Sequence, residues 1–538
     1  MTFDYIIAGA GSAGCVLANR LTASGKHRVL LLEAGGSDRR FFVQMPLGYG
    51  KTFYDKTCNW MYQAEPDPGL NGQRDYYPRG KILGGSSSIN AMVYIRGAAE
   101  DYEDWKRGGN IGWGWDDVLP AYKRMEDYAA GDPAFRGAGG PLHITDLGDD
   151  AHPLCEPFIT AAVATGLKFN PDFNGAGQEG VGLYQFTTKG GRRMSAARAF
   201  LRPAMRRQNL KVETHAHVTR ILFEGPRAVG VAYEKNGQRV SVKAGREVIV
   251  SSGAINTPQL LQLSGIGPGA LLQSLGIGVV NANGNVGARM QDHHGINYTF
   301  RMNVPTLNDQ LRPWWGKLRA GLQYILTRRG PLSLSVNQGG GFFRTSPDLD
   351  RPNMQLYMQA FSTLIPKDGE RPLLNPDPFP GLSLGLSNCR PNSTGEVMIK
   401  SADPFAAPKL SFNTYGTEKD VSEMLAAVKY LRVIAATEPL KSLIAEELRP
   451  GPQIMSDDEL IHDMRQRSGT VYHQACTCRM GADAATSVVD SRLRVHGIQG
   501  LRICDASVFP NLIAGNTNAP AMMVGWRGAD IILEDAAN

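Results

Sequence analysis

The opening residues constrain the fold more than any other stretch of the chain. "FDYIIAGAGSAGCVLANRL" reads as an apolar strand, a glycine turn and an amphipathic helix. Gly9, Gly11 and Gly14 form G-x-G-x-x-G, with Ser12 and Ala13 opening the helix. In such a unit the first glycine makes the tight turn and the second lets backbone approach a pyrophosphate. The third permits close helix–strand packing. The helix N-terminus presents unpaired N–H groups and the positive end of its dipole to the phosphates. "HRVLLLEAG" then supplies a second apolar strand, ending in Glu33 and Ala34. An acidic residue there suits hydrogen bonds to ribose hydroxyls and disfavours a 2′-phosphate. The pattern admits either NAD or FAD. Its position at the start of the chain favours FAD, since no second fingerprint of this form follows a later strand.

A chain of 538 residues exceeds one ordinary core, so two large domains are expected. The net charge of +6 is small for this length and the cations are scattered. Clusters such as "KGGRRM" and "AMRRQN" read as solvated faces, not as a nucleic-acid surface. Seven cysteines, an odd number spread over the chain, argue for a reducing compartment. The N-terminus enters its structural motif without a signal sequence. The uncharged stretch Ala506 to Trp526 carries asparagines and proline that a bilayer would penalise. The cytoplasm is the expected location, with peripheral contact to the inner membrane left open. The oligomeric state is not specified.

Residues 76–105 form a loop rich in Gly and Ser that can wrap a polar cofactor with backbone donors and hydroxyls. "GREVIVSSGAINTPQLLQLSGIG" predicts a buried strand, a turn and a helix starting near Thr257–Pro258. Residues 295–400 alternate short β-like runs with Pro/Gly turns, predicting an antiparallel sheet in a second domain. Near the C-terminus, "YHQACTCRMG" places His473 beside a C-x-C pair. That pair lacks the C-x-x-C spacing and fourth ligand of a zinc site, so no metal is expected. A thiol nucleophile would need a local base and an orienting group. Cys476 and Cys478 therefore read as small packed residues.

With these pieces in order, the chain resembles the glucose–methanol–choline (GMC) family of flavin-dependent alcohol oxidoreductases from end to end. "GKILGGSSSINAMVYIRG" and "GAINTPQLLQLSGIG" look like the family's two signatures. "NVGARMQDHHG", "YHQACTCRMG" and "GLRICDASVFPNLIAGNTNAP" fall where its other landmarks do. The branch it resembles holds bacterial choline, medium-chain alcohol, polyethylene glycol and sorbose dehydrogenases. The resemblance implies an α/β fold (α+β, two-domain): a Rossmann-like FAD-binding domain and a substrate domain built on an antiparallel sheet. The implied FAD-binding parts are residues 1–155, 196–295 and 463–538. The implied substrate parts are 156–195 and 296–462.

By the same resemblance Gly9, Gly11, Ser12, Ala13, Gly14, Glu33 and Ala34 hold the ADP half of FAD, and the backbone at Val218 meets adenine. Gly84, Gly85, Ser86, Asn90, Ala91, Met92 and Val93 line the pyrophosphate, ribityl and isoalloxazine side. Asp505, Ala506, Asn516 and Thr517 close over the cofactor. Some relatives attach FAD through a histidine just before Asn90. Ile89 stands there and cannot form that bond, so FAD is expected to be non-covalent.

The resemblance makes His473 the catalytic base, with Asn518 as its partner at the substrate hydroxyl. A hydride can leave the alcohol carbon for flavin N5 only as the hydroxyl proton is lost, and neutral imidazole suits that task near pH 7. Gln474 and Cys476 replace the usual proline and glycine after the base, which puts the loop geometry in question. His293 and His294 in "QDHHG" read as structural. Gln338, where relatives often carry an acid, together with Met354, Met358 and Phe361, points to a neutral primary alcohol in preference to choline. Oxygen, a quinone or another carrier is the expected electron acceptor, and the sequence does not choose among them. An oxygen-using alcohol oxidase and a flavin-containing hydroxynitrile lyase are the alternatives of the same fold.

Overall fold

The computed structural model describes residues 2–363 and 375–537. The strand Phe3–Ala8 turns through Gly9 to Gly11 into the helix Ser12–Leu21. Strands apolar on both faces belong inside a covered parallel sheet, and "FDYIIA" and "VLLL" are such strands. The order is Leu210–Glu213, Val29–Leu32, Phe3–Ala8 and Gln238–Val250, with Leu501–Ile503 beyond the last, all parallel.

Gln238–Val250 serves two partnerships. Its first half pairs antiparallel with Arg227–Lys235, which in turn pairs with Ala216–Glu224. From Ala244 onward it runs beside Phe3–Ala8. The sequence changes character at the same place, from polar alternation in "QRVSVKA" to the fully buried "VIV". The C-terminal helix Asn518–Ala537 lies against Ser12–Leu21. A Cβ on Gly525 would stand 2.7 Å from the Ala13 carbonyl oxygen, so the crossing requires glycine there.

The second sheet is antiparallel, as expected from the β-like runs after residue 295. Its order is Ile444–Arg449, His294–Met302, Gly381–Asn388, Met354–Gln359, Gly339–Phe343 and Gly180–Leu183. Strand alternation gives it two unlike faces. Ile296, Tyr298, Phe300, Met354, Leu356, Met358, Leu382 and Leu384 pack into one core with the helices Glu418–Ala435 and Cys155–Ala164. Asn297, Thr299, Tyr357, Gln359 and Ser383 face a cavity between this sheet and the first domain. A short strand, Gly469–Thr470, pairs with His294 and Gly295 at the sheet's end. That pairing delivers residues 471–474 to the cavity.

One expected boundary moves. The helix predicted near Thr257–Pro258 begins at Gly253 and runs to Leu263, with Pro258 inside it. Two side chains distant in sequence make the earlier start feasible. The Asp505 carboxylate accepts from Gly253 N (2.8 Å) and from the Thr257 hydroxyl (2.6 Å), capping the first turn. Pro258 has no N–H for the carbonyl of Ala254, four residues back. The buried Thr477 hydroxyl donates to that carbonyl instead, at 2.7 Å. Thr477→Val should therefore leave a buried acceptor unpaired and destabilise the protein by about 1–3 kcal/mol. The urea midpoint of the purified protein measures this; an unchanged midpoint would show that the hydroxyl is dispensable.

Candidate active site

A cavity of about 780 Å³ lies between the two sheets. One end is lined by Glu33, Trp60, His217 and Val218, and the other by His473, Asn516, Tyr357 and Phe361. Two helix N-termini meet it, those of Ser12–Leu21 and Asn518–Ala537, each offering free N–H groups and the positive dipole end.

The residues at the glycine turn fit a dinucleotide. Gly9 has φ +106, and a Cβ there would stand 2.4 Å from the carbonyl oxygen of Ser251. A Cβ on Gly14 would lie 2.0 Å from the Gly9 oxygen, and one on Gly85 would lie 2.7 Å from the Gly11 Cα. The cradle is closed to any side chain, which keeps backbone available to phosphates. Glu33 accepts from Ala10 N (3.0 Å) and Gly35 N (2.8 Å), which fixes its carboxyl at the cavity edge. Burial pushes its pKa up to about 7, against those two N–H donors. Hydroxyl donors from a ribose would favour its charged form further. Asn90 uses its oxygen twice, accepting from Met92 N (3.1 Å) and from the buried Arg193 (2.7 Å), which leaves its amide donors for a ligand.

At the other end stands His473. Its Nε2 lies 3.0 Å from Asn516 Nδ2, and its Nδ1 lies 2.9 Å from His293 Nδ1. The partners decide the tautomers. The carbonyl of Cys389 accepts from His293 Nε2 at 2.9 Å, so the proton of His293 sits on Nε2 and its Nδ1 is an acceptor. His473 therefore donates through Nδ1–H and keeps its Nε2 lone pair. Asn516 agrees: its Oδ1 accepts from Gln355 Nε2 (3.3 Å), which turns its Nδ2 donors toward His473. Burial, then the neighbouring His293 and Arg79, pushes the His473 pKa well below the usual histidine range. Burial likewise takes His293 down to about 4. The backbone is held too, because Asp292 accepts from His473 N at 2.8 Å and from the side chains of Thr470 and Gln474.

Most of the expected residues meet in this cavity: Gly9, Gly11, Ser12, Ala13, Glu33, Ala34, Gly85, Ser86, Asn90, Ala91, Met92, Val93, Val218, Asp505, Ala506, Thr517 and Phe361. Gly14 and Gly84 lie just behind the surface, where they let neighbouring backbone approach. Four expectations are corrected. Asn518 lines the cavity but accepts from the Ser12 hydroxyl (2.7 Å), and the asparagine that reaches His473 is Asn516. His293, read as structural, is in contact with His473 in the cavity wall. Gln338 faces away from the cavity: it is buried and accepts from His152 N at 2.7 Å. Met358 points into the core behind the sheet, 4.0 Å from Cys155 Sγ. Their chain neighbours Asn337, Tyr357 and Gln359 take the cavity side. Arg79, which donates to the Tyr472 carbonyl at 2.7 Å, and Gln355 carried no signal in their sequence context.

A dinucleotide cradle joined to a buried, neutral imidazole fits an FAD-dependent oxidoreductase acting on CH–OH groups. The chain belongs to the GMC oxidoreductase family, matching it over residues 3–295 and 391–525. It is 43% identical to an alcohol dehydrogenase [acceptor] of Pseudomonas putida, over 99% of this chain and 96% of that one. Identity to an oxygen-dependent choline dehydrogenase of Rhizobium johnstonii is 41%, with the same coverages. Among solved structures it is similar to a formate oxidase (TM-score 0.92, 26% identity, 100% of this chain and 99% of that one). It is also similar to the pyridoxine 4-oxidase of Mesorbium loti (TM-score 0.87, 28% identity, 98% and 99%).

Proposed function

We propose that the enzyme oxidises a neutral primary alcohol to the aldehyde, with His473 taking the hydroxyl proton. The observation that carries this reading is the unprotonated Nε2 of His473, which lines the cavity and accepts from Asn516 Nδ2 at 3.0 Å. Bound in the cavity, FAD supplies the acceptor for the hydride. Glu33 and the Val218 backbone hold its adenosine end, and the turns at Gly9–Gly11 and Gly85–Ser86 hold its phosphates. Asn90, Ala506 and Thr517 border the flavin.

The alcohol docks with its oxygen beside His473 Nε2 and Asn516 Nδ2, displacing the 3.0 Å hydrogen bond between them. Its hydroxyl donates to His473 Nε2, and Asn516 Nδ2 donates to the same oxygen. Asn516 can fix the oxygen without competing for its proton. As the proton arrives at Nε2, the ring becomes cationic. His293, accepting from Nδ1–H, stabilises that cation and holds the ring's orientation, as an orienting group does for other catalytic bases. Removing the base costs about 10²–10⁴-fold in such reactions.

The choice of alcohol rests on charge. Among the described residues lining the cavity, the only carboxylates are Glu33 and Asp505, both in the cofactor half. The cations Lys51, Arg79, Lys317, Arg449 and Arg467 also line it. A quaternary ammonium group would lose its hydration there without meeting a negative charge. The walls offered by Val336, Tyr357, Phe361 and Leu386, with the amides of Asn337 and Gln359, suit an uncharged chain carrying a polar group or two. The cofactor is held without a covalent bond, because Ile89 packs as a hydrocarbon among Val43, Cys58 and Ile82.

Four outcomes are expected. Acid precipitation should leave the flavin fluorescence in the supernatant; fluorescence that stays with the pellet would show a covalent link. His473→Ala should retain FAD while anaerobic flavin reduction by alcohol falls by about 10²-fold or more. In the wild type that rate should stay level as pH falls through 6.5, because a base with a lowered pKa stays neutral to lower pH. A rate that halves near 6.5 would contradict the buried neutral base. Finally, kcat/KM for 3,3-dimethylbutan-1-ol, the uncharged isostere of choline, should exceed that for choline by about tenfold or more, equivalent to about 1.4 kcal/mol. A clear preference for choline would overturn the substrate assignment.

A further inference from the structure

The helix Trp314–Thr327 is docked on the molecule by a narrow stripe. Gly316, Ala320 and Tyr324 are its buried residues, spaced four apart. Trp314, Trp315, Leu318, Leu322, Ile325 and Leu326 are all exposed, Trp314 at 76% and Leu326 at 79%. Among the described residues, six of the seventeen large exposed hydrophobic side chains thus lie on one 14-residue helix. Each residue turns the helix by about 100°, which gathers these six into an arc of about 120° opposite the buried stripe. Lys317 and Arg319 fall on the two edges of that arc. Phe41 and Phe42, also exposed, extend the patch: the Phe41 ring lies 6.3 Å from that of Tyr324.

An apolar face of this kind on a soluble molecule marks a docking surface. Its charge identifies the occupant. Arg312, Lys317, Arg319, Arg328 and Arg329 surround the face, and no Asp or Glu occurs from residue 310 to 347. A second copy docked face to face would set these five cations against the same five. Anionic headgroups would neutralise them while tryptophan and leucine side chains enter the acyl boundary. Among the described residues no helix is long and apolar enough to cross a membrane.

We infer that this helix lies in the surface of an anionic lipid bilayer, with its apolar arc buried below the headgroups. Leu311, Lys317, Leu332 and Phe42 also line the cavity, so docking brings the cavity's rim to the membrane surface. An alcohol with an apolar chain, or an electron acceptor dissolved in the bilayer, would then reach the cavity from the lipid side.

Flotation of the FAD-loaded enzyme with vesicles, one part phosphatidylglycerol to two of phosphatidylcholine, tests this directly. At low salt the wild type should float with these vesicles and bind pure phosphatidylcholine vesicles less. The variant Trp314→Ser/Leu318→Ser/Leu326→Ser should bind about tenfold more weakly or worse, with FAD content and turnover on a soluble dye unchanged. Charge reversal in Arg328→Glu/Arg329→Glu should weaken binding to the anionic vesicles without touching the apolar face. Absence of wild-type flotation would overturn the inference, as would equal flotation of the triple variant. A wild-type dimer that the triple variant abolishes, with no vesicle binding, would assign the face to a second copy instead.

Discussion

A main-chain carbonyl can only accept a hydrogen bond, and the carbonyl of Cys389 governs the protonation of the active site. It draws the proton of His293 to Nε2, which obliges His293 to accept at Nδ1 and His473 to donate there. His473 Nε2 is thereby left as an acceptor, which Asn516 Nδ2 meets at 3.0 Å. Gln355 orients Asn516 from one side, and Asp292 holds the His473 main chain from the other. Burial then keeps the ring neutral, since a charged imidazole would find no carboxylate in direct contact with it.

The fold serves this arrangement through a short antiparallel pairing. Gly469–Thr470 runs beside His294 and Gly295, and Gln291 bridges to Ala475. The two histidines therefore face each other from the short segments between that ladder and that bridge, although 180 residues separate them. The cofactor half depends on a different device, close backbone approach. Gly9, Gly14 and Gly85 occupy positions where a Cβ would strike main-chain atoms, and Gly525 lets the last helix cross the first. Each half is specified locally; the cavity exists because both sheets present their polar edges to the same space.

Much of this could be read from the chain. The glycine turn, Glu33 and the antiparallel second sheet each carry a local pattern with a physical reason, whereas His473 stands out only through the family resemblance. The misreadings share one cause, the loss of parity or partner information. Asn516 and Asn518 are two residues apart at a helix start, and sequence cannot say which side chain turns toward the base. Met358 sits one position from the cavity residues Tyr357 and Gln359, and in a strand a shift of one reverses the face. Gln338 lies just before the strand Gly339–Phe343, one position from the cavity residue Asn337. The helix at Gly253 starts early because Asp505 and Thr477, more than two hundred residues away, satisfy its first turn and the carbonyl opposite Pro258. His293 looked structural because its partner is defined only by the fold.

The protonation of His473 is the claim on which the chemistry rests, and nitrogen NMR of histidine-labelled, FAD-loaded enzyme addresses it. His473 would be assigned by the signal lost in His473→Gln. The arrangement predicts one protonated nitrogen, Nδ1, and an unprotonated Nε2 at neutral pH, persisting below pH 6.5. A ring protonated on both nitrogens at neutral pH, or protonated only on Nε2, would contradict it.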